Sequence, residues 1–253
     1  MLKNDDQPSA PPSFQLPGEQ VDIKTTFEAS LLEFNYSEIC LSAFLNENVQ
    51  IKRHVPEGSE PVPSAKLRAL AITSGVYSRF NIDSNIPKAG FEFMFERWIT
   101  NSINRSIADE VFVAYENPAT SGDEVGFITV KRNGSSVNIG LLAVDEKHRR
   151  KGIAHSLLSR AVLWALEQVG GCPNPSINVV TQGANLPAVN CYKSFGFSLK
   201  STQNVYHFWL PRDLKGAVVP ADMQVGTYLI RLIVEFVFSL PEFLFVSWGF
   251  VSP

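Results

Sequence analysis

The sequence is poor in cysteine. Cys40, Cys172 and Cys191 are the three among 253 residues, far apart and without a CxxC pair. That argues against a disulfide framework and against structural zinc, and it fits a reducing, cytoplasmic compartment. Excess charge is also missing: 22 Lys and Arg against 25 Asp and Glu leave a net −3, which gives no field for a nucleic-acid backbone. Nor is there an apolar stretch at the start. Residues 1–18, MLKNDDQPSAPPSFQLPG, hold two acids and four prolines, so they are no signal peptide, and residues 1–20 read as a disordered leader. With 45% hydrophobic residues, whole-chain disorder is excluded, and the length suffices for one large domain or two small ones.

Residues 21–55 alternate short apolar and polar runs and give no firm assignment. The proline-rich VPEGSEPVPS loop ends at Ser64, a suitable N-cap for a helix over residues 65–74. A second helical pattern spans residues 91–102, with Phe95, Trp98 and Ile99 forming an apolar stripe that reads as core packing. Residues 111–116, 126–130 and 135–144 then read as three antiparallel strands, the last two joined at Asn133-Gly134 by a type I′ turn. A long helix over residues 153–169, with Leu157, Leu158, Ala161, Val162, Trp164 and Ala165 on its apolar side, is stopped by Gly170-Gly171. A strand at 177–182, a short helix at 186–194 and a last strand around 206–210 complete an α/β unit.

The stretch 225–251 is strongly apolar, but Arg231, Glu235, Pro241 and Glu242 interrupt it. A single transmembrane helix needs about 20 nearly uncharged residues. The pattern therefore leaves three arrangements open: docking on the core or on a second subunit as a homodimer, peripheral contact with a membrane, or a terminus foreign to the natural protein.

The segment that carries chemistry is IGLLAVDEKHRRKGIAHSLL, residues 139–158: a strand, a charged turn, and a helix. A glycine turn at a helix start presents unpaired backbone N–H groups, and the helix dipole adds positive potential there. Gly152 lets the backbone approach a phosphate, and the small Ala154 leaves the way open. Arg149, Arg150 and Lys151 supply more charge than a monophosphate needs, which suits a pyrophosphate. Set against an ordinary helix start with a solvated basic turn, the anion reading is favoured by the strand-to-helix context and by a second motif some thirty residues on.

That arrangement resembles the GNAT N-acetyltransferases, whose acetyl-CoA pyrophosphate sits on a turn of the form [RQ]-x-x-G-x-[GA], here Arg149, Gly152 and Ala154. The resemblance implies a GNAT fold, an α/β architecture with a mixed, mostly antiparallel central sheet flanked by helices. It also implies acetyl-CoA as co-substrate, with no metal. Cofactor contacts would come from Leu142, Ala143 and Val144 on a bulged strand, from Arg149, Arg150, Lys151, Gly152, Ile153 and Ala154, and from Asn185, which also reads as a helix cap. The match covers residues 64–210. It divides the chain into a leader (1–20), an acceptor-side region (21–110), an acetyl-CoA-binding core (111–212) and an apolar tail (213–253). Ser78-Arg79-Phe80, Asp83, the helix at 91–102 and the strand at 206–210 are similar to the branch that acetylates TDP-4-amino-4,6-dideoxy sugars, the TDP-fucosamine type. On that resemblance Arg79 would pair a nucleotide phosphate and Asp83 a sugar hydroxyl; both read equally well as surface charges.

The chemistry so implied is attack of a neutral amine on the thioester. A thiolate leaving group of pKa roughly 8.5 can take a proton from a tyrosine near 10, and Tyr192 is the residue matched to that role. No general base is assigned: His148 and Asp145 read as lying on the solvated side of the turn, and His207 faces either way. Cys191 reads as packing rather than as a nucleophile. Two further functions stand beside the sugar-nucleotide enzyme: acetylation of protein N-termini, and a non-catalytic acyl-CoA-binding module.

Overall fold

A computed structural model of the chain describes residues 18–44, 46, 49–55, 61–116, 122–209 and 245–251. The leader up to residue 17, and the tail apart from its last strand, lie outside the described residues.

In chain order the strands are β1 (Gly18–Ser30), β2 (Val49–Arg53), β3 (Glu110–Glu116), β4 (Glu124–Asn133), β5 (Ser136–Val144), β6 (Ser176–Gln182), β7 (Ser198–Trp209) and β8 (Phe245–Val251). The helices are α1 (Tyr36–Phe44), α2 (Ala65–Ser74), the single turn α3 (Arg79–Ile82), α4 (Lys88–Ile103), α5 (Ile153–Val169) and α6 (Leu186–Phe195). The strands form one sheet in the order β2-β3-β4-β5-β6-β1-β7-β8. Only β5 and β6 run parallel; the other neighbours are antiparallel. The expected mixed, mostly antiparallel α/β sheet is thus what the chain forms.

The unassigned N-terminal region supplies β1, which lies between β6 and β7 in the middle of the sheet. Its alternate residues Thr25, Phe27 and Ala29 are buried, and those between are not, the period-two pattern of a strand with one covered face. Two cores result. On one face α5 packs its Leu157, Leu158, Ala161 and Val162 against Phe27, Phe112, Ile128 and Val137. On the other, α2 and α4 place Leu67, Leu70, Phe91, Phe95 and Ile99 against Val111, Val113 and Phe127.

Three details differ from the sequence reading. The β4–β5 turn is Gly134-Ser135, because Asn133 already pairs with Ser136; of the two only Gly134 has positive φ (61°), as in a type II′ turn. Trp98 is 40% exposed and lies off the buried stripe of α4, which is Phe91, Phe95, Ile99 and Ile103. The last strand of the α/β unit, β7, begins at Ser198, well ahead of residue 206.

Candidate active site

The site begins with a defect in β5. Its pairing with β4 slips between Ile128/Leu142 and Val130/Ile139, so Gly140 and Leu141 bulge opposite Thr129. The Thr129 hydroxyl accepts a hydrogen bond from the Leu141 amide at 2.8 Å, and a Cβ on Gly140 would lie 2.8 Å from that same oxygen, so glycine is required there. The bulge reverses the facing of the strand. Val137 and Ile139 point to the α5 core, whereas Leu141 and Ala143, of the same parity, point to the α2/α4 core. Beyond the bulge β5 also leaves β6: their parallel pairing runs only from Ser136/Ser176 to Ile139/Val179. The two strands splay, and a cleft of about 910 Å³ opens along Leu142, Ala143 and Val144.

At one end of this cleft is the basic turn. Gly152 caps α5 in the left-handed conformation, φ 76°, with no side-chain hydrogen bond on the helix start, and Arg150 takes φ 65° two residues earlier. A second left-handed residue so close turns successive amides the same way and makes an anion-binding concavity. Arg149, Arg150, Gly152, Ile153 and Ala154 line the cleft, and Lys151 does not. Asn46 pins the turn from below: its Nδ2 donates to the Lys151 carbonyl at 3.3 Å and to Ser156 Oγ at 2.9 Å. Uncapped amides, flanking arginines and space are the features a pyrophosphate of acetyl-CoA requires, and these residues fit it.

Across the splay, α6 contributes Tyr192, Cys191 and Asn190 to the lining, together with Asn185, Leu186, Pro187 and Ala188 from its start. Tyr192 is buried, its ring 6.0 Å from Phe27 of β1 and 5.9 Å from Phe197. Burial pushes its phenol well above the ordinary value, so the hydroxyl keeps its proton at neutral pH. Asn185 lines the cleft and caps α6, its Oδ1 accepting from the Ala188 amide at 3.2 Å. The Cys191 thiol is pushed up to about 11 by burial, which makes it a poor nucleophile. His155 also lines the cleft; burial lowers its pKa, and its Nε2 lies 3.1 Å from Ser194 Oγ.

The remaining wall comes from the end of α2 and the loop after it: Thr73, Ser74, Val76 and Tyr77. Arg79 and Asp83 follow directly but are not among the lining residues. Asp83 is 3% exposed and hydrogen-bonded through Oδ2 to Nδ1 of His207, itself 1% exposed, so neither is a surface group. Arg79 stacks over Phe80 at 4.4 Å and sits in the field of Asp22, whose carboxyl burial pushes up to about 6. His148, read from sequence as solvated, lines the cleft with its side chain 19% exposed. Its Nδ1 is 3.3 Å from Asp145 Oδ1 and its Nε2 3.2 Å from Glu116 Oε1. Sequence reading missed Asn46, Thr129 and the 73–77 wall; each acts across the fold on a partner it does not neighbour in the chain, and no local pattern marks it. Among the described residues no group of three or more His, Cys, Asp or Glu could hold a metal ion, and no helix is long and apolar enough to cross a membrane.

With this geometry in place, residues 108–199 match the model of the acetyltransferase (GNAT) domain. The matched segment, which holds β3 to β6 with α5 and α6, has the GNAT fold. Over 59 residues, 23% of this chain, the sequence is 44% identical to the streptothricin acetyltransferase of Escherichia coli. The chain spans about a third of that enzyme's length, 31%. Solved structures are similar over more of the chain. The GCN5-related N-acetyltransferase of Sphaerobacter thermophilus is 17% identical with a TM-score of 0.47, covering 75% of this chain and 51% of that one. The IAA acetyltransferase of Bacillus cereus is 16% identical with a TM-score of 0.40, covering 81% and 99%.

Proposed function

We propose that the protein transfers the acetyl group of acetyl-CoA to a primary amine by direct attack, with Tyr192 as general acid. One observation carries this reading. The uncapped, left-handed start of α5 and Tyr192 line the same cleft, on the two sides of the β5/β6 splay.

Bound acetyl-CoA supplies a thioester whose carbon accepts the amine and whose sulfur leaves as a thiolate. The chain's own residues do the rest. The 149–154 turn would hold the phosphates; the edge of β5 that leaves β6, Leu142 to Val144, would align the pantetheine arm beside Asn185, its Val144 carbonyl already accepting from Arg149 Nε at 3.3 Å. The Tyr192 hydroxyl donates its proton where the thiolate develops. The phenol is raised by burial, but a thiolate forming in the same apolar pocket is raised by the same effect, so the transfer stays matched.

The amine we assign first is the 4-amino group of a TDP-linked dideoxy sugar; the resemblance over residues 91–102 and the last strand supports it, while Arg79 and Asp83, which do not line the cleft, are withdrawn as acceptor contacts. A second reading, streptothricin as acceptor, is favoured by the 44% identity to the Escherichia coli enzyme. Thiol release from acetyl-CoA is the test, with a TDP-4-amino-4,6-dideoxyhexose, streptothricin, or peptides with free N-termini as acceptors. Release with the sugar nucleotide alone supports the first reading, and with streptothricin alone the second. Release with peptides alone moves the chain to acetylation of protein N-termini. Tight acetyl-CoA binding without release in any arm overturns the transfer reading in favour of an acyl-CoA-binding module.

A further inference from the structure

All the residues lining the cleft come from positions 142–194 except Thr73, Ser74, Val76 and Tyr77. These four alone stand outside the stretch that carries both motifs, and in the proposed function they serve as the acceptor wall. The wall begins in the last turn of α2, where Thr73 and Ser74 are half-buried, and ends in an exposed turn: Val76 is 44% and Tyr77 36% exposed. The exposed end opens easily unless something fixes it.

We propose that Asp83 and His207 are positioning residues that hold the acceptor wall in place, acting through Asn81. The links can be followed bond by bond. Nδ1 of His207 on β7 is hydrogen-bonded to Asp83 Oδ2. The other oxygen of Asp83 accepts from the Asn85 amide at 2.9 Å and from its side chain at 3.1 Å. The Asp83 amide in turn donates to the Arg79 carbonyl, closing α3. From α3, Asn81 Nδ2 donates to the Val76 carbonyl at 2.9 Å, inside the wall itself. The Phe80 ring packs 6.4 Å from the His207 ring and steadies the same turn. β7 is held by β1 on one side and β8 on the other, so the wall is referred to a fixed strand of the sheet. Burying a carboxylate and an imidazole is costly unless both are bonded, and here the bond spans 124 positions of sequence and ends at the cleft. Asp83, matched from sequence to a sugar hydroxyl, is thereby given a role behind the wall instead of in it.

This inference rests on the acceptor binding beside that wall, as in the proposed function. It is tested with Asn81→Ala, which removes an exposed side chain and leaves the core intact, beside Asp83→Ala and the conservative Asp83→Asn. Losing either link should raise acceptor KM about fivefold, the worth of one hydrogen bond, with kcat and acetyl-CoA Kd within about twofold of wild type. Asp83→Asn keeps a bond to His207 and should stay near wild type. Hydrogen exchange gives a readout free of turnover: amides 73–78 should exchange faster in both alanine variants while amides 150–156 stay unchanged. Unaltered acceptor KM and unaltered exchange in Asn81→Ala overturn the inference, as does acetyl-CoA Kd rising in step with KM. Should the wild-type protein release no thiol with any amine, the functional reading fails, and the exchange arm alone decides the positioning role.

Discussion

Tyr192, proposed above as the general acid, sits in an environment that resists its ionisation. Phe27 and Phe197 hold the ring, so replacing the hydroxyl alone should not disturb it. Tyr192→Phe should lower kcat about a hundredfold, the low end of general-acid contributions, with acetyl-CoA affinity by calorimetry unchanged. Gly152 is the second residue on which the site depends. Its φ of 76° strains any other side chain, and its Cβ would meet only Asn46 Nδ2 at an ordinary 3.4 Å, so backbone strain is the whole effect. Gly152→Ala should cost about 1–2 kcal/mol, read as a lower Tm and weaker acetyl-CoA binding together. The cleft residues near these two were legible because motif and mechanism coincide in one stretch, 142–154 and 185–192. The environment of Asp83 was not: its partner is His207, and nothing near residue 83 announces a histidine on the last strand of the unit.

Among the elements, α2 and α4 are locked by an absence of atoms. A Cβ on Gly75, the C-cap of α2, would lie 2.2–2.6 Å from three ring carbons of Phe95 on α4. Gly75→Ala should therefore destabilise by about 1–3 kcal/mol, the range for overpacking. Urea unfolding measures it, and Phe95→Leu in the same chain should recover part of the loss as coupling between neighbours. The helices themselves were readable. Ser64 caps α2, its Oγ accepting from the Leu67 amide at 2.9 Å, and α5 spans the residues its periodicity marks. The turn after β4 shows where local signals stop. Asn-Gly was correctly taken as a hairpin, but which two residues form the loop is set by strand register, and register follows from the sheet. The apolar stripe of α4 met the same limit, since Trp98 lies at a permissible angle and is excluded by the position of β3 and β4.

At the scale of the whole molecule, an ion pair ties α2 to the end of β5. Lys66 of α2 is hydrogen-bonded to Asp145 Oδ2, just past the end of β5. Lys66, with help from the Lys147 amide and His148, holds the Asp145 carboxyl down at about 2, below its ordinary 3.8. For an acid lowered on folding, the stabilisation is complete above the unfolded value and disappears as pH falls through the folded one. Stability should hence decline between pH about 4 and 2, and Lys66→Met should flatten that decline in urea titrations across this range. The β-sheet order was the least legible feature of all. β1 reads as an ordinary amphipathic stretch, because everything that makes it a central strand lies on β6 and β7, and a strand's neighbours leave no mark on its own sequence.

That placement also orders events in time. β1 leaves the ribosome ahead of the other strands, yet the strands on both its sides, Ser176–Gln182 and Ser198–Trp209, follow only after β2 to β5. Phe27, which supports Tyr192, must wait with an unpaired edge for nearly the entire chain to appear, so the catalytic half closes late and by long-range contacts, the slow kind. During synthesis the nascent chain carries a free strand capable of pairing with a neighbour's β6 or β7, and chaperone dependence or strand exchange at high expression is the consequence to expect.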